Sequence, residues 1–321
     1  MSTLDEELAA RAGAAAAALA PPAEPETDPR DTGPPDEDGT AAHRRFDPAR
    51  TARFLLRRPG LLLSLLVIAA VFAASFFPGL FSSRDPLSGT PAQAFRPPGA
   101  GHWFGTDELG RDLYARVVHG AALSLQATLI ALAVAFVAGG LIGLLAGFAG
   151  RWADDLLMRF VDVMLAIPAL FLSLALVTAL GYGTVKIAVA VGVASVAMFA
   201  RVMRAEVLRV RQAIFVEAAR SCGARWYSVL GRHVLPNAIG PVAVLATLEF
   251  GTAILAVSSL SFLGYGAAPP APEWGSLISN GRNYLANAWW LTALPGLTIV
   301  ATVLAANRIA RALDGEWARS R

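Results

Sequence analysis

Six stretches of the chain are apolar for long enough to cross a hydrocarbon core as helix, a task that takes about 20 residues. The first is "GLLLSLLVIAAVFAASFFPGLF" at 60–81 and the second "LSLQATLIALAVAFVAGGLIGLLAGF" at 123–148. Four more follow at 158–180, 185–203, 238–263 and 289–310. The pattern predicts an all-α, polytopic membrane protein with six transmembrane helices packed as one bundle. Pro168 interrupts the third and Pro241 the fifth near its start. Such breaks are tolerated where neighbouring helices satisfy the freed backbone groups. Gly139, Gly143 and Gly147 recur at helical spacing, which predicts a close helix approach.

Composition agrees. Of 321 residues, 55% are apolar and 16% charged, against roughly one-quarter charged in a soluble domain. The single Cys222 excludes an internal disulfide framework and a multi-cysteine metal site. Lys186 is the one lysine, a bias we attribute to genome composition. The net charge of +3 conceals two opposed regions. Residues 1–42 hold ten acids against Arg11 and Arg30, so they carry −8 and the remainder +11. This leader, rich in Ala, Pro, Gly and acid, buries too little apolar surface to fold alone. It also lacks the basic-then-apolar order of a signal peptide. We read 1–50 as a disordered cytoplasmic tail, acidic and then basic, with a docking arm as the competing reading.

Arginine placement sets the orientation. Arg44, Arg45, Arg50, Arg53, Arg57 and Arg58 precede the first span. Arg204, Arg209, Arg211, Arg220, Arg225 and Arg232 follow the fourth, and Arg308, Arg311, Arg319 and Arg321 the sixth. With six spans these groups share one side with Arg151, and short basic flanks mark the cytoplasmic face. Both termini are expected there. The expected layout is a first transmembrane segment at 51–81, an extracytoplasmic loop at 82–122, a five-helix core at 123–311 with a cytoplasmic loop at 204–237, and a tail at 312–321. Residues 264–288 form a further outer loop.

The 204–237 loop is far longer than a connection between spans requires. "AEVLRVRQAIFVEAAR" predicts a helix with Val207, Val210, Ile214, Phe215 and Ala218 near one face. Gly223 permits a bend, "ARWYSVLGRHVL" predicts a second short helix, and Pro236 resets the chain direction. On the residues alone two readings stay open. One is a knob that docks on a partner protein. The other is an amphipathic helix on anionic lipid, using its arginines and Trp226.

Four blocks then carry a resemblance. Glu217-Ala218-Ala219, Gly223 and His233-Val234-Leu235-Pro236 are spaced as in the EAA loop of bacterial ATP-binding-cassette importer permeases. "HWFGTDELGRDLYARVVHGAALSLQ" (102–126), "MRFVDVMLAIPAL" (158–170) and "LSFLGYGAAPPAPEWGSLISNGRNYL" (260–285) are similar to blocks of the dipeptide, oligopeptide and nickel subfamily. The resemblance runs from about residue 50 to residue 307. It implies the type I importer transmembrane fold in a bacterial inner membrane, with 204–237 as the coupling loop. Glu217, Ala218 and Ala219 would meet an ATPase subunit, Gly223 would supply the bend, and His233, Leu235 and Pro236 would shape the return to the bundle. Implied partners are a homologous second permease, one or two ATPase subunits and an extracytoplasmic solute-binding protein. ATP and magnesium would bind on the ATPases, and no cofactor or metal on this chain. Peptide is the expected cargo, with nickel or another small solute as the alternative. No role in nucleic-acid binding is expected.

The remaining polar residues change the picture less. No GxxxxGK[ST] phosphate loop is present, and "GLIGLLAGFAG" lies within a span. Asp107, Glu108, Arg111 and Asp112 are expected to cap and pair at the start of the second helix, with Thr106 or Asp107 as N-cap. A metal site there would need His102 as a partner. Arg159 and Asp162 are three residues apart, which predicts a local ion pair. Glu249 lies mid-span, where a carboxylate is a functional candidate. Family members carry a glutamate where this chain has Ala256, seven residues on and on nearly the same face, so Glu249 is expected to line the pathway as a displaced equivalent. From Asn307, "NRIARALDGEWAR" replaces the family's "NLLGDGLRDALDP", so Ala310 and Arg311 stand in place of a Gly-Asp pair. An ATP-independent secondary transporter lacks any use for the EAA loop, a channel needs a filter or charged ring, and the scattered His43, His102, His119 and His233 disfavour an intramembrane hydrolase.

Overall fold

The computed structural model describes residues 59–319, with side chains described to residue 312. The acidic leader and the basic flank expected at 1–58 lie outside the described residues. The described chain is helical, and its connections hold isolated bridges but no named strand. Among the described residues five helices are long and apolar enough to cross a membrane, and a bent pair of helices passes the same test when the two are taken together.

Helix α1 is described over Pro59–Phe76. A turn-rich segment follows, tied by the bridges Gly89↔Arg111, Gly99↔His102 and Thr106↔Asp112. Helix α2 then runs over Leu113–Ala149, about 55 Å at 1.5 Å per residue. It begins ten residues before the apolar run suggested, so the loop expected at 82–122 ends at residue 112. The N-cap is Asp112, rather than Thr106 or Asp107, and its carboxylate accepts from the Ala115 N–H at 2.9 Å. The early start is stable because Leu113, Val117 and the aliphatic stem of Arg116 are buried beneath the loops.

Helix α3, Arg151–Ala166, and helix α4, Ala169–Leu180, meet at 95°. The break falls at Pro168, as expected. Helix α5 spans Thr184–Arg211 and ends on Arg209 and Arg211, cations that suit the negative end of the helix dipole. It runs eight residues beyond the apolar stretch and absorbs the first turns of the expected coupling loop. That loop therefore does not begin with one continuous helix. The chain breaks at Gln212–Ala213, and helix α6 is the short Ile214–Ser221.

After α6 come helix α7, Trp226–Val229, a π-turn at Leu230–Val234, and helix α8, Leu235–Leu260. These form one helical run from Trp226 that continues to a kink at Gly264. Pro236 therefore does not redirect the chain, and Pro241 does not interrupt the span. The π-turn explains the tolerance. The Leu235 N–H reaches back to the Leu230 carbonyl, and this widened turn makes room next to a residue that lacks a donor. The Asn237 side-chain amide also donates to the His233 carbonyl at 2.7 Å. Beyond a kink at Gly264 (φ 98°), helix α9, Trp274–Gly281, and helix α10, Trp290–Arg319, complete the fold. Helix α10 continues through most of the expected tail at 312–321.

The dominant packing is α2 along α5. A Cβ on Gly143 would stand 2.3 Å from the Ala200 carbonyl oxygen and 2.7 Å from the Met203 Cβ. One on Gly139 would stand 2.5 Å from the Phe199 Cβ, and one on Gly147 2.7 Å from the Val207 Cγ1. The three glycines thus form the close seam that their spacing predicted. At one end of the bundle Val71, Leu113, Ile254, Trp274 and Leu291 form a core. At the other Val207, Val216, Val229, Val234 and Ala238 form a second.

Gly143→Val should therefore lower the thermal unfolding temperature of the detergent-purified protein, with a cost of about 1–3 kcal/mol for overpacking. Gly140→Ala, whose new methyl would meet only the Met203 Cε at 3.5 Å, should leave it nearly unchanged.

Candidate functional site

Helix α6 stands off the end of the bundle as an eight-residue knob. Its anchor is Val216, fully buried and packed in the core with Val210, Val229 and Val234. The rest of its surface is open. Ile214 is 85% exposed, Phe215, Glu217 and Ala218 are exposed, and Ala219 is half-buried. An acid thus stands among exposed apolar side chains, with Arg220, Arg225 and Arg232 exposed on the same loop.

Gly223 closes the knob. Its φ of 82° is left-handed, a conformation that only glycine adopts without strain. The Ala224 N–H donates to the Ala219 carbonyl at 3.1 Å and the Gly223 N–H to the Arg220 carbonyl at 2.9 Å. This is the Schellman pattern, which satisfies carbonyls left open at a helix C-terminus. A Cβ on Gly223 would meet nothing within 4 Å, so the constraint is torsional. The His233 ring lies 6.4 Å from that of Phe215, while Leu235 and Pro236 sit in the continuous helix at the base. Structure thus gathers Glu217, Ala218, Ala219, Gly223 and His233 into one projection, with Leu235 and Pro236 behind it.

The intramembrane candidates lie elsewhere. Glu249 is half-buried on α8 and, among the described residues, takes no hydrogen bond or ion pair. The pairing expected between Arg159 and Asp162 is not formed. Asp162 instead accepts from Arg201 on α5 at 2.6 Å, because the bend of α3 carries that face against α5. A second link of the same kind joins Asp154 to Arg204 through two guanidinium nitrogens.

At the opposite end the charged run of 107–112 is a structural cluster. Arg111 donates to Asp107 at 2.6 Å and to Glu108 at 3.2 Å. Buried Arg116 donates to the Pro86 carbonyl at 2.9 Å. The His102 Nδ1 lies 2.7 Å from the Asp112 carboxylate, but the Arg84 guanidinium occupies the same oxygen at 2.6 Å. Among the described residues no three His, Cys, Asp or Glu side chains gather as a metal site.

Sequence reasoning missed Glu273. It is completely buried and caps α9, accepting from the Gly275 and Ser276 N–H groups at 3.1 and 3.0 Å. The Ser124 hydroxyl of α2 donates to it at 3.2 Å, and the Trp274 N–H donates to Ser124 at 3.1 Å. A Cβ on Gly275 would stand 2.3 Å from the Ser258 carbonyl oxygen, so α9 lies directly on α8. Burial raises the Glu273 pKa above its ordinary value, and the hydrogen bonds from Gly275, Ser276, Ser261 and Ser124 pull the other way. The signal available in sequence was an acid three residues before Ser276, at the end of the otherwise uncharged stretch 264–273.

Comparison with known proteins places these features in context. Residues 139–319 match the family described as binding-protein-dependent transport system inner membrane component. The chain is 38% identical over 288 residues to the dipeptide transport system permease protein of Alkalihalophilus pseudofirmus, across 89% of this chain and 94% of that one. It is 38% identical to the probable D,D-dipeptide transport system permease protein of Escherichia coli, across 82% and 88%. With the di/tripeptide transport system permease protein of Pseudomonas aeruginosa it shares 42% identity across 77% and 82%.

The raised pKa of Glu273 has a signed consequence. The folded state keeps this proton at pH values where the unfolded chain has released it, so stability falls as pH rises above the ordinary carboxylate range. Glu273→Gln should flatten that slope in thermal unfolding measured between pH 5 and pH 8. Glu273→Ala should lower stability at both, by about 1 kcal/mol for the lost cap alone.

Proposed function

This chain belongs to the family of binding-protein-dependent transport system inner membrane components, and we propose that it is the membrane-spanning permease subunit of an ATP-driven importer for di- or oligopeptides. The peptide assignment is supported by its relatives, whose names specify dipeptide and di/tripeptide transport. ATP is hydrolysed on separate ATPase subunits, since the chain holds no phosphate loop of its own. A second, homologous permease completes the pathway, because one chain supplies one coupling loop and two ATPases need two. A solute-binding protein meets the loops at 77–112 and 264–288. Both termini face the cytoplasm, where ATP is available.

The observation that carries this reading is the form of α6. Its exposed Ile214, Phe215, Glu217 and Ala218 present an apolar edge with one acid, suited to a protein groove with a cationic residue. The membrane-surface alternative uses Arg220, Arg225 and Arg232, which are exposed on the same loop and would attract anionic lipid, but it gives Glu217 no partner. Two short joints, 212–213 and 222–225, connect α6 to α5 on one side and to the Trp226–Tyr265 helix on the other. Closure of the ATPases on ATP would displace α6, and the displacement would pass into two spanning helices at once. The bundle would then alternate between outward-open and inward-open states. Glu249, half-buried and without a partner among the described residues, lines the pathway in this scheme.

Glu217→Lys should abolish peptide uptake and solute-stimulated ATPase activity in the reconstituted complex, while membrane insertion is unaffected. Loss of one member of a desolvated interface pair costs about 2–5 kcal/mol. Gly223→Asp should do the same by straining the left-handed turn. Normal coupling in either variant overturns the assignment of α6. Glu249→Gln should reduce uptake and alter its pH dependence, and an unchanged profile removes Glu249 from the pathway.

A further inference from the structure

At the end of the bundle opposite α6, a groove of about 560 Å³ lies between residues 108–116 and residues 261–280. Arg111 and Arg116 stand on one side of it, and Ser276, Ser279 and Asn280 of α9 on the other. A volume of this order is that of a small-molecule site.

The arginine side is underfilled. Arg116 is 2% exposed, and a buried guanidinium needs its donors matched. Its Nη1 donates to the Pro86 carbonyl at 2.9 Å, but its Nε has no hydrogen-bond partner among the described residues. The acid at hand is Asp107, 3.6 Å away, and its oxygens are already engaged. Its Oδ2 accepts from the Arg111 Nε at 2.6 Å, and its Oδ1 from the Leu109 and Arg111 N–H groups at 3.0 and 2.9 Å. Glu108 is drawn to Arg111 as well, at 3.2 Å. Both acids therefore serve Arg111, and Arg116 keeps donors for something else. An adjoining void of about 10 Å³, lined by both arginines, holds one water at most. A larger group reaches them only through the groove.

The facing wall has the opposite hydrogen-bonding character. The Ser276 and Ser279 hydroxyls donate to the Glu273 and Phe262 carbonyls at 2.9 and 2.7 Å, so what they retain for a ligand is acceptor capacity. Leu109 and Pro270 add an apolar edge. A planar guanidinium matches a carboxylate, and hydroxyl acceptors match an amide N–H. We propose that this groove is a subsite for the C-terminal end of a short peptide, with its carboxylate on Arg116 and Arg111 and its last N–H toward Ser276 and Ser279. The proposal rests on the permease reading and deepens it. On the orientation given above this end is the outer one, so the groove would hold the cargo at the mouth by a group that every linear peptide carries, whatever its side chains.

The test uses the detergent-purified complex of this chain with the subunits that accompany it, free of solute-binding protein. Equilibrium dialysis measures binding of radiolabelled alanyl-alanine at millimolar concentration, with unlabelled alanyl-alanine, its C-terminal amide and acetate as competitors. The amide should compete about tenfold less well than the free acid, the effect of losing a charge-assisted hydrogen-bonded pair, and acetate should compete less well still. Arg116→Gln should weaken binding by a similar factor. Asn280→Trp, at an exposed position, should abolish it by filling the groove. Thermal unfolding checks that each variant is folded, and if Arg116→Gln is not, Asn280→Trp carries the test alone. Absence of binding, equal competition by acid and amide, or binding unchanged in folded Asn280→Trp overturns the proposal. Competition by acetate as strong as that by the dipeptide overturns it in favour of a general anion site. If neither dipeptide binds while Asn280→Trp weakens association with the binding protein, the groove takes an acidic side chain of that partner, and the peptide assignment is overturned. ATP-driven peptide uptake by the unmodified complex in proteoliposomes is measured in parallel. Uptake without the binding preference sinks only the groove assignment, whereas absence of uptake sinks the permease reading with it.

Discussion

The close contact between α2 and α5 is the interaction on which the rest of the structure depends. In a bilayer, apolar helices gain little from hiding from lipid, so association rests on packing and on close backbone approach. Gly139, Gly143 and Gly147 supply that approach by leaving room for the Phe199 Cβ, the Ala200 carbonyl and Val207. With α5 fixed on α2, the ion pairs of Asp154 and Asp162 with Arg204 and Arg201 have a defined register. The base of α6 is defined too, because Val207 and Val210 of α5 form part of the core into which Val216 is set.

Much of this was legible in the sequence because the bilayer makes strong demands. A span has to be long, apolar and internally hydrogen-bonded, and five of the six apolar runs correspond to helices long and apolar enough to cross, the other to the bent pair α3–α4. The knob was legible through Gly223, since a left-handed turn leaves a glycine at a definite place. Less legible was everything that depends on which groups meet. Helix α2 starts at Leu113 because loops cover Arg116 and Val117, whereas Arg116 and His119 kept 113–122 out of the apolar run that marks the span. Arg201 captures Asp162 because a 95° bend intervenes, and no rule of helical spacing anticipates a partner 39 residues away. Pro236 and Pro241 read as breaks, yet the π-turn at Leu230–Val234 lets the helix pass.

The two ends of the molecule solve different problems. At the loop end polar groups are buried and satisfied: Glu273 by Ser124 and two backbone amides, Arg111 by Asp107 and Glu108. Such networks favour one arrangement and resist fluctuation. At the α6 end the exposed surface is apolar around Glu217, and Arg220, Arg225 and Arg232 form no ion pair among the described residues. The chain is therefore tightly determined where it closes on itself and open at α6.

The helical run from Trp226 to the kink at Gly264 has a mechanical meaning. At 1.5 Å per residue it is a rod about 57 Å long, reaching from the base of the knob to the far loops, where the Tyr265 carbonyl accepts from the Gly183 N–H at 2.9 Å. A hinge at Pro236 or Pro241 would have dissipated a push in local bending. A stiff lever does not: a small tilt at one end arrives at the other enlarged by the ratio of the arms about its fulcrum. On the proposed permease reading, both mouths of the bundle are geared to a single part, so they would open in opposition without any separate timing device.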